Sequence, residues 1–267
     1  MRVLAGVIVP LVTPFDADGQ VSTEDVRRLV NHLASRVHGL LPALSSGEGW
    51  MLDDCQWTTV VTATRQAAAG LPVLAGILAA DTATVVARAE RAAAIGVDAV
   101  VATTPFGPDV SQDRIVAHYE EILATTDLPL VIYDESTLSG NRIARDTLHR
   151  LCTMPRIAGI KESTGSAQWT REVVADNPGV PVFEGWEHLL GKVAGIRGCI
   201  TALANLDPKL CAAQLHEPTA DRHSTIEALV RQHDLDGPEW VRSLKTELVR
   251  RSVLRNERVL DHAEVTG

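Results

Sequence analysis

Lys161 ends a short apolar run, Ile157, Ala158, Gly159 and Ile160, inside the stretch "RIAGIKESTG". Bounded by Pro155 on one side and "STG" on the other, the run reads as a buried strand. An ammonium removed from water without a partner costs several kcal/mol or gives up its proton. A lysine that has given up its proton is an amine nucleophile toward ketones, which is what Schiff-base catalysis requires. The competing reading is a lysine that snorkels from a strand end into solvent. Composition weighs against it: of 25 basic residues only four are lysines, Lys161, Lys192, Lys209 and Lys245, so arginine supplies nearly every surface cation.

Imine chemistry also needs a group that moves protons at the carbinolamine and the substrate hydroxyl. Tyr133 closes the run "LPLVIYD" and is placed to do so. The "SSG" stretch, Ser45 to Gly47, can present hydroxyls and backbone N–H groups to a carboxylate. No histidine cluster and no aspartate pair stands at metal-ligand spacing, so metal-assisted hydrolysis has no support and no cofactor is implied.

These residues fall at the ends of short apolar runs that alternate with amphipathic ones. "AGVIVPLV" precedes "STEDVRRLVNHLASRV", where Val26, Leu29, Val30, Leu33 and Val37 recur at helical spacing and Ser22 to Asp25 offers a capping-box start. "GLLPALSS" precedes a helical stretch beginning near Asp53, and "LPVLAGI" leads to a helix that Gly96 stops. "VDAVVATT", "LPLVIYD", "IAGIKES", "VPVFEG" and "GCITALAN" continue the beat, each before a helix-compatible run. Eight near-continuously apolar strands predict a parallel sheet covered by helices, and eight βα units in 267 residues predict an α/β fold of the (β/α)8 TIM-barrel type. A dinucleotide fold lacks its GxGxxG fingerprint after the first strand. Residues 1–215 are assigned to the barrel and 216–267 to a helical C-terminal extension packed on it. In such a barrel the strand C-termini carry the chemistry, and Lys161, Tyr133 and Ser45 all sit there.

With 45% hydrophobic and 22% charged residues and a formal charge of −9, the chain has the balance of a soluble globular protein, and its acidity disfavours nucleic acid or anionic membrane as a partner. No apolar stretch of about 18 residues suggests a membrane span. The N-terminal "MRVLAGVIVPLVTPFDADG", broken by Pro10 and Pro14, reads as a first strand and not as a signal peptide. Cys55, Cys152, Cys199 and Cys211 form no C-x-x-C pair and read as reduced thiols of a cytoplasmic protein.

Taken together, these segments resemble the superfamily of dihydrodipicolinate synthase and N-acetylneuraminate lyase, pyruvate-dependent class I aldolases and dehydratases. The resemblance runs from about residue 6 to residue 254 and rests on "LVTPFDADGQVSTEDVRRLV", "SSGE", "LPVLAGI", "LPLVIYD", "IAGIKESTG" and "GCITALANLDP". It implies that Lys161 forms the imine with a 2-keto acid, that Tyr133 shuttles protons, that Ser45 relays a proton, and that the backbone around Ser46 and Gly47 holds the keto acid's carboxylate. Gly185 and Ile200 fall where the family lines its pocket floor; Ile200 also reads as plain barrel core. Family members are commonly tetramers built from dimers, so a homo-oligomer, dimer or tetramer, is implied.

The chain also departs from the pattern. "TPFGPD" puts Phe106 and Gly107 where the family has two tyrosines, and Leu138 stands where the synthase branch has an arginine for its second substrate's carboxylate. Arg142 lies four residues on. These departures point away from genuine dihydrodipicolinate synthesis. Trp50 after "SSGEG", Trp186 after Gly185 and Phe106 after the fourth strand, in a chain only 4% aromatic, predict a pocket walled for an apolar or aromatic acceptor. The expected activity is that of a class I lyase or aldolase joining pyruvate or a related 2-keto acid to an aldehyde. The alternatives are a Schiff-base dehydratase of a hydroxylated 2-keto acid and a non-catalytic keto-acid-binding barrel.

Overall fold

Near-continuous apolar runs can satisfy their backbone only by pairing on both edges, and here they do. The computed structural model describes residues 4–176 and 178–260. Eight parallel strands, β1 (Gly6–Pro10), β2 (Gly39–Leu41), β3 (Leu74–Ile77), β4 (Ala99–Ala102), β5 (Leu130–Asp134), β6 (Ile157–Glu162), β7 (Val182–Glu184) and β8 (Gly198–Cys199), pair in the order β2-β1-β8-β7-β6-β5-β4-β3. A parallel bridge between Leu40 and Val73 joins β2 to β3 and closes the ring. The fold is a (β/α)8 barrel.

Side chains alternate across each strand, so the sheet has two apolar faces. Ile8, Leu41, Leu74, Val101, Val131, Ala158 and Phe183 fill the barrel axis. Val7, Val9, Leu40, Val100, Ile132 and Ile160 pack outward against the helices. On β6 the alternation slips. Leu130 pairs with Ile157 but Val131 with Gly159, which leaves Ala158 as an extra residue. Ala158 faces the axis and Ile160 the helices, so the slip hands the next inward position to Lys161 and the outward one to Glu162.

Helices α1 (Thr23–Leu33), α2 (Asp54–Ala67), α3 (Thr82–Ile95), α4 (Gln112–Thr125), α5 (Arg145–Cys152) and α6 (Ala167–Ala175) follow the first six strands. Asp53 and Gln56 form a reciprocal capping box on α2, and Gly96 ends α3 at φ 82°. On α1 only half of the expected box forms. Ser22 accepts from the Asp25 N–H, while the Asp25 carboxylate accepts from Arg255 at 2.8 Å.

Three expectations need correction. No α-helix separates β7 from β8, only a 3-10 turn over Glu187–Leu189. Strand β2 stops at Leu41, because Pro42 has no N–H to donate and Ala43 turns left-handed at φ 60°. Strand β8 is two residues long; the segment up to Asn205 coils into a 3-10 turn, and the Asn205 amide donates to Pro10 O at 2.8 Å. Helix α7 (Pro208–His216) is the last barrel helix, and α8 (Ala220–Gln232) and α9 (Trp240–Arg250) extend beyond it. Residues 261–267 of the expected extension lie outside the described residues. Among the described residues no helix is long and apolar enough to cross a membrane.

Candidate active site

Lys161 and Tyr133 sit opposite each other in the β5–β6 ladder, so adjacent strands turn both side chains to the same space. The Lys161 nitrogen lies 3.6 Å from the centroid of the Tyr133 ring. Lys161 is 3% exposed, and burial lowers its pKa to about 7, against the upward pull of the surrounding carboxylates, Glu135 first among them. At neutral pH about half of this amine is therefore unprotonated. Burial also pushes the Tyr133 phenol well above its ordinary value, with Glu135 adding to the rise. The Ser45 and Ser163 hydroxyls oppose that rise. Tyr133 Oη and Ser45 Oγ are 3.3 Å apart. Tyr133 is thus a phenol whose hold on its proton burial strengthens and whose hydroxyl meets that of Ser45.

The loop carrying Ser45 is fixed from beneath. The left-handed Ala43 fits because Gly76 and Gly49 leave room: a Cβ on Gly76 would come within 2.6 Å of Leu44 N, and one on Gly49 within 2.0 Å of Ala43 O. Gly47 is a second close approach, with Leu11 O at 2.8 Å from any Cβ, and its carbonyl accepts from the Thr13 hydroxyl at 2.7 Å. Glu48 then turns inward at φ 56° and is buried against Lys245, with 2.5 Å between nitrogen and oxygen. The Leu260 N–H donates to the other Glu48 oxygen at 2.6 Å. Helix α9 and the segment after it thereby anchor the loop.

A cavity of about 470 Å³ opens above Lys161. Ser45, Ser46, Trp50, Tyr133, Lys161, Gly185, Trp186 and Ile200 all line it, so eight of the ten residues singled out from sequence converge. Gly47 and Phe106 are not among its walls. Gly47 lies behind Ser46 in the packing just described. Phe106 belongs to a loop docked elsewhere, where the Asn141 amide donates to Pro105 O and Gly107 O at 2.7 and 3.0 Å. Arg142 is exposed and outside the cavity, so no cation takes up the position left by Leu138.

Sequence reasoning missed several walls. Ser163, two residues beyond Lys161 and on the same face, is 6% exposed, and its hydroxyl makes no hydrogen bond of good geometry. Its Oγ occupies the place of a Cβ on Gly185, 1.8 Å from where that atom would be, which is why residue 185 is a glycine. Glu187 lines the cavity with a carboxyl that burial pushes upward, one oxygen accepting from the Leu203 N–H at 2.9 Å. Glu135 is a further wall. The roof comes from the α8–α9 connection, Leu235, Asp236 and Pro238, and from Trp240 at the start of α9. Period-two spacing from Lys161 marks Ser163, whereas nothing local in "DLDGPEW" says that this connection folds over the barrel mouth.

Outward of this ring lies a row of buried carboxylates. Asp134, Glu162 and Glu184 are neighbours across β5, β6 and β7, each at most 2% exposed. Glu162 is satisfied by the Thr164 N–H at 2.7 Å and by the Thr164 and Thr170 hydroxyls. Asp134 accepts from the Trp169 indole N–H at 2.9 Å, yet burial raises it to about 7. Glu184 is raised to about 8 by burial, and one of its oxygens has no partner. Among the described residues no group of acidic, histidine or cysteine side chains is arranged to hold a metal ion.

The profile of the Dihydrodipicolinate synthetase family matches residues 3–235. An uncharacterized DapA-like lyase of Halobacterium salinarum is 35% identical over 213 residues, 78% of this chain and 69% of the relative. The 4-hydroxy-tetrahydrodipicolinate synthase of Methylococcus capsulatus is 31% identical over 242 residues, 87% of this chain and 83% of its own. Among solved structures, the 4-hydroxy-tetrahydrodipicolinate synthase of Methylacidiphilum fumariolicum superposes with a TM-score of 0.89 at 25% identity, over 96% of this chain and 89% of that one. Escherichia coli YagE gives the same score at 22% identity, covering 99% and 96%. With the family profile spanning most of the barrel and the fold shared throughout, the chain belongs to the dihydrodipicolinate synthetase family of lyases.

Proposed function

We propose that the protein forms an imine between Lys161 and pyruvate or a related 2-keto acid and uses it to make or break a carbon–carbon bond with an aldehyde. The observation that carries this reading is the buried Lys161 amine, lowered to about 7 and stacked over Tyr133, whose hydroxyl in turn meets Ser45. In the condensing direction the unprotonated amine attacks the ketone carbon, and the carbinolamine takes a proton and loses water to give the iminium. Loss of a proton from the adjacent carbon gives the enamine, which adds to the aldehyde carbon while the new alkoxide takes up a proton. Hydrolysis returns Lys161. Tyr133 moves the protons, with Ser45 as its relay partner, and the backbone at Ser46 holds the keto acid's carboxylate. Gly185 and Ile200 form the floor, and Trp50 and Trp186 wall the acceptor side. The absence of a cation near Leu138 argues against a dicarboxylate-forming synthase.

A second reading is favoured by Glu187. A buried carboxyl whose hold on a proton burial strengthens, opening onto the cavity, suits a proton donor for a departing hydroxyl in a dehydratase working through the same imine. The two share a test. Incubation with pyruvate and borohydride, followed by mass spectrometry, should find a reduced adduct on Lys161. Its absence with pyruvate and other small 2-keto acids sinks both readings and leaves a keto-acid-binding barrel. An adduct with dehydration of a hydroxylated keto acid, and no aldehyde exchange, selects the second. We further place the protein in the cytoplasm as a homo-oligomer, supported by cysteines that are all unpaired among the described residues and by the habit of the family.

A further inference from the structure

The upper part of the cavity carries charge of one sign. Glu135 after β5 and Asp236 on the α8–α9 connection line it; among the described residues no arginine does, and Lys161 at the floor is the one lysine. Once Lys161 holds a keto acid, the iminium is balanced by that acid's own carboxylate. His188 and Lys192 share the surroundings of Asp236, but neither lines the cavity. Glu135 accepts only from backbone, the Thr137 N–H at 2.5 Å and the Leu138 N–H at 3.0 Å, and is not in a salt bridge among the described residues.

The same space gathers three of the chain's five tryptophans, Trp50, Trp186 and Trp240, each half-buried and lining the cavity. Trp186 is held by its indole N–H, which donates to Ser163 O at 2.9 Å. Indole faces attract cations, and carboxylates beside them deepen that preference, whereas a carboxylate or phosphate finds no basic side chain there to receive it. At the base of this space Ser163 is a wall whose hydroxyl is buried against Gly185 and acts on the Tyr133 phenol.

We propose that the second reactant carries an organic cation, an alkylammonium or guanidinium group seated between the tryptophans and the Glu135 and Asp236 carboxylates, an assignment that rests on the imine reading above for its place in the reaction.

The test does not need turnover. The purified full chain is titrated with choline, with its uncharged carbon isostere dimethylbutanol, and with hydroxybutyrate, following tryptophan fluorescence and heat. Choline should bind tighter than dimethylbutanol by on the order of tenfold, with hydroxybutyrate weakest. Glu135→Gln and Asp236→Asn should each shrink the choline advantage. Equal or tighter binding of dimethylbutanol, preferential binding of hydroxybutyrate, or no saturable choline binding overturns the assignment. So does a choline preference untouched by both substitutions, since the cation would then sit elsewhere. Pyruvate capture by borohydride on the same preparation reports on the imine separately, so either conclusion can fail while the other stands.

Discussion

The nitrogen of Lys161 rests 3.6 Å from the centre of the Tyr133 ring, close enough for the ring face to favour the charged amine, and burial nonetheless wins. The desolvated amine loses its proton near pH 7 in place of 10.5. The rate of borohydride-trappable imine formation with pyruvate should therefore rise with pH to a midpoint near 7. A midpoint above about 9, the range of an ordinary lysine, would show that the amine is solvated.

Tyr133→Phe keeps the ring beneath Lys161 and removes the hydroxyl that meets Ser45. Pyruvate capture should still reach completion, though more slowly, while turnover falls by about 10²–10⁴-fold, the usual worth of a positioned proton-transfer group. Stopped-flow capture and steady-state rates on one preparation separate the two effects. Unchanged turnover removes Tyr133 from proton transfer.

Burial of Glu48 against Lys245 ties the Ser45 loop to α9. Lys245→Met leaves the carboxylate buried and unpaired, at a cost of about 3–5 kcal/mol in urea unfolding. Adding Glu48→Gln should recover much of that loss. A single substitution that costs less than about 1 kcal/mol would mean that solvent reaches Glu48.

The carboxylates outside the ring pull stability down as pH rises through the neutral range, against His118, whose pKa burial lowers to about 4. The folded-state pKa of Glu184, about 8, lies above its ordinary 4.5, so the folded protein holds a proton that the unfolded chain releases. The stability linked to that proton is complete below about 4.5 and lost as pH climbs through about 8; Asp134, raised to about 7, acts in the same direction. Lys161 and Lys245, lowered to about 7 and about 8, contribute the opposite slope at higher pH. Glu184→Gln should tilt Tm upward with rising pH relative to the parent between about pH 5 and pH 7, whatever the sign of the parent's own slope. An unaltered slope would mean that Glu184 is ionised throughout.

Gly185→Ala places a methyl 1.8 Å from Ser163 Oγ and 2.7 Å from Glu162 O. The hydroxyl can rotate away but the carbonyl cannot, so a destabilisation of about 1–3 kcal/mol is expected together with a lower turnover. Thermal unfolding and steady-state rates measure both. Full activity would mean that the floor of the cavity yields.

Much of this was legible in the chain because period and punctuation are local. Gly96 and Asp53 mark helix ends by backbone chemistry alone, and apolar runs mark buried strands whatever they pack against. Lys161, Tyr133 and Ser45 could be read because a barrel brings the C-terminal ends of its strands to one mouth. What escaped depends on contacts far apart in sequence. Asp236 and Trp240 reach the cavity only because α8 and α9 fold back over the barrel, and the pairing of Glu48 with Lys245 spans 197 residues. Phe106 was misleading for a related reason: its loop is captured by Asn141 on the neighbouring connection and turned from the mouth.

The slipped pair on β6 decides more than register. Lys161 and Glu162 are adjacent charges of opposite sign, and the single surplus residue at Ala158 determines which one meets the reactants and which one caps the turn into α6. Paired without that slip, Val131 to Ala158, the same strand would set Lys161 opposite Asp134 and turn it toward the helices, with Glu162 toward the cavity. Which of the two charges faces the cavity is thus a matter of phase along the chain: a one-residue deletion near Gly159 would straighten the ladder and keep Lys161 opposite Tyr133, whereas losing the slip alone would exchange the amine for an acid without changing either side chain.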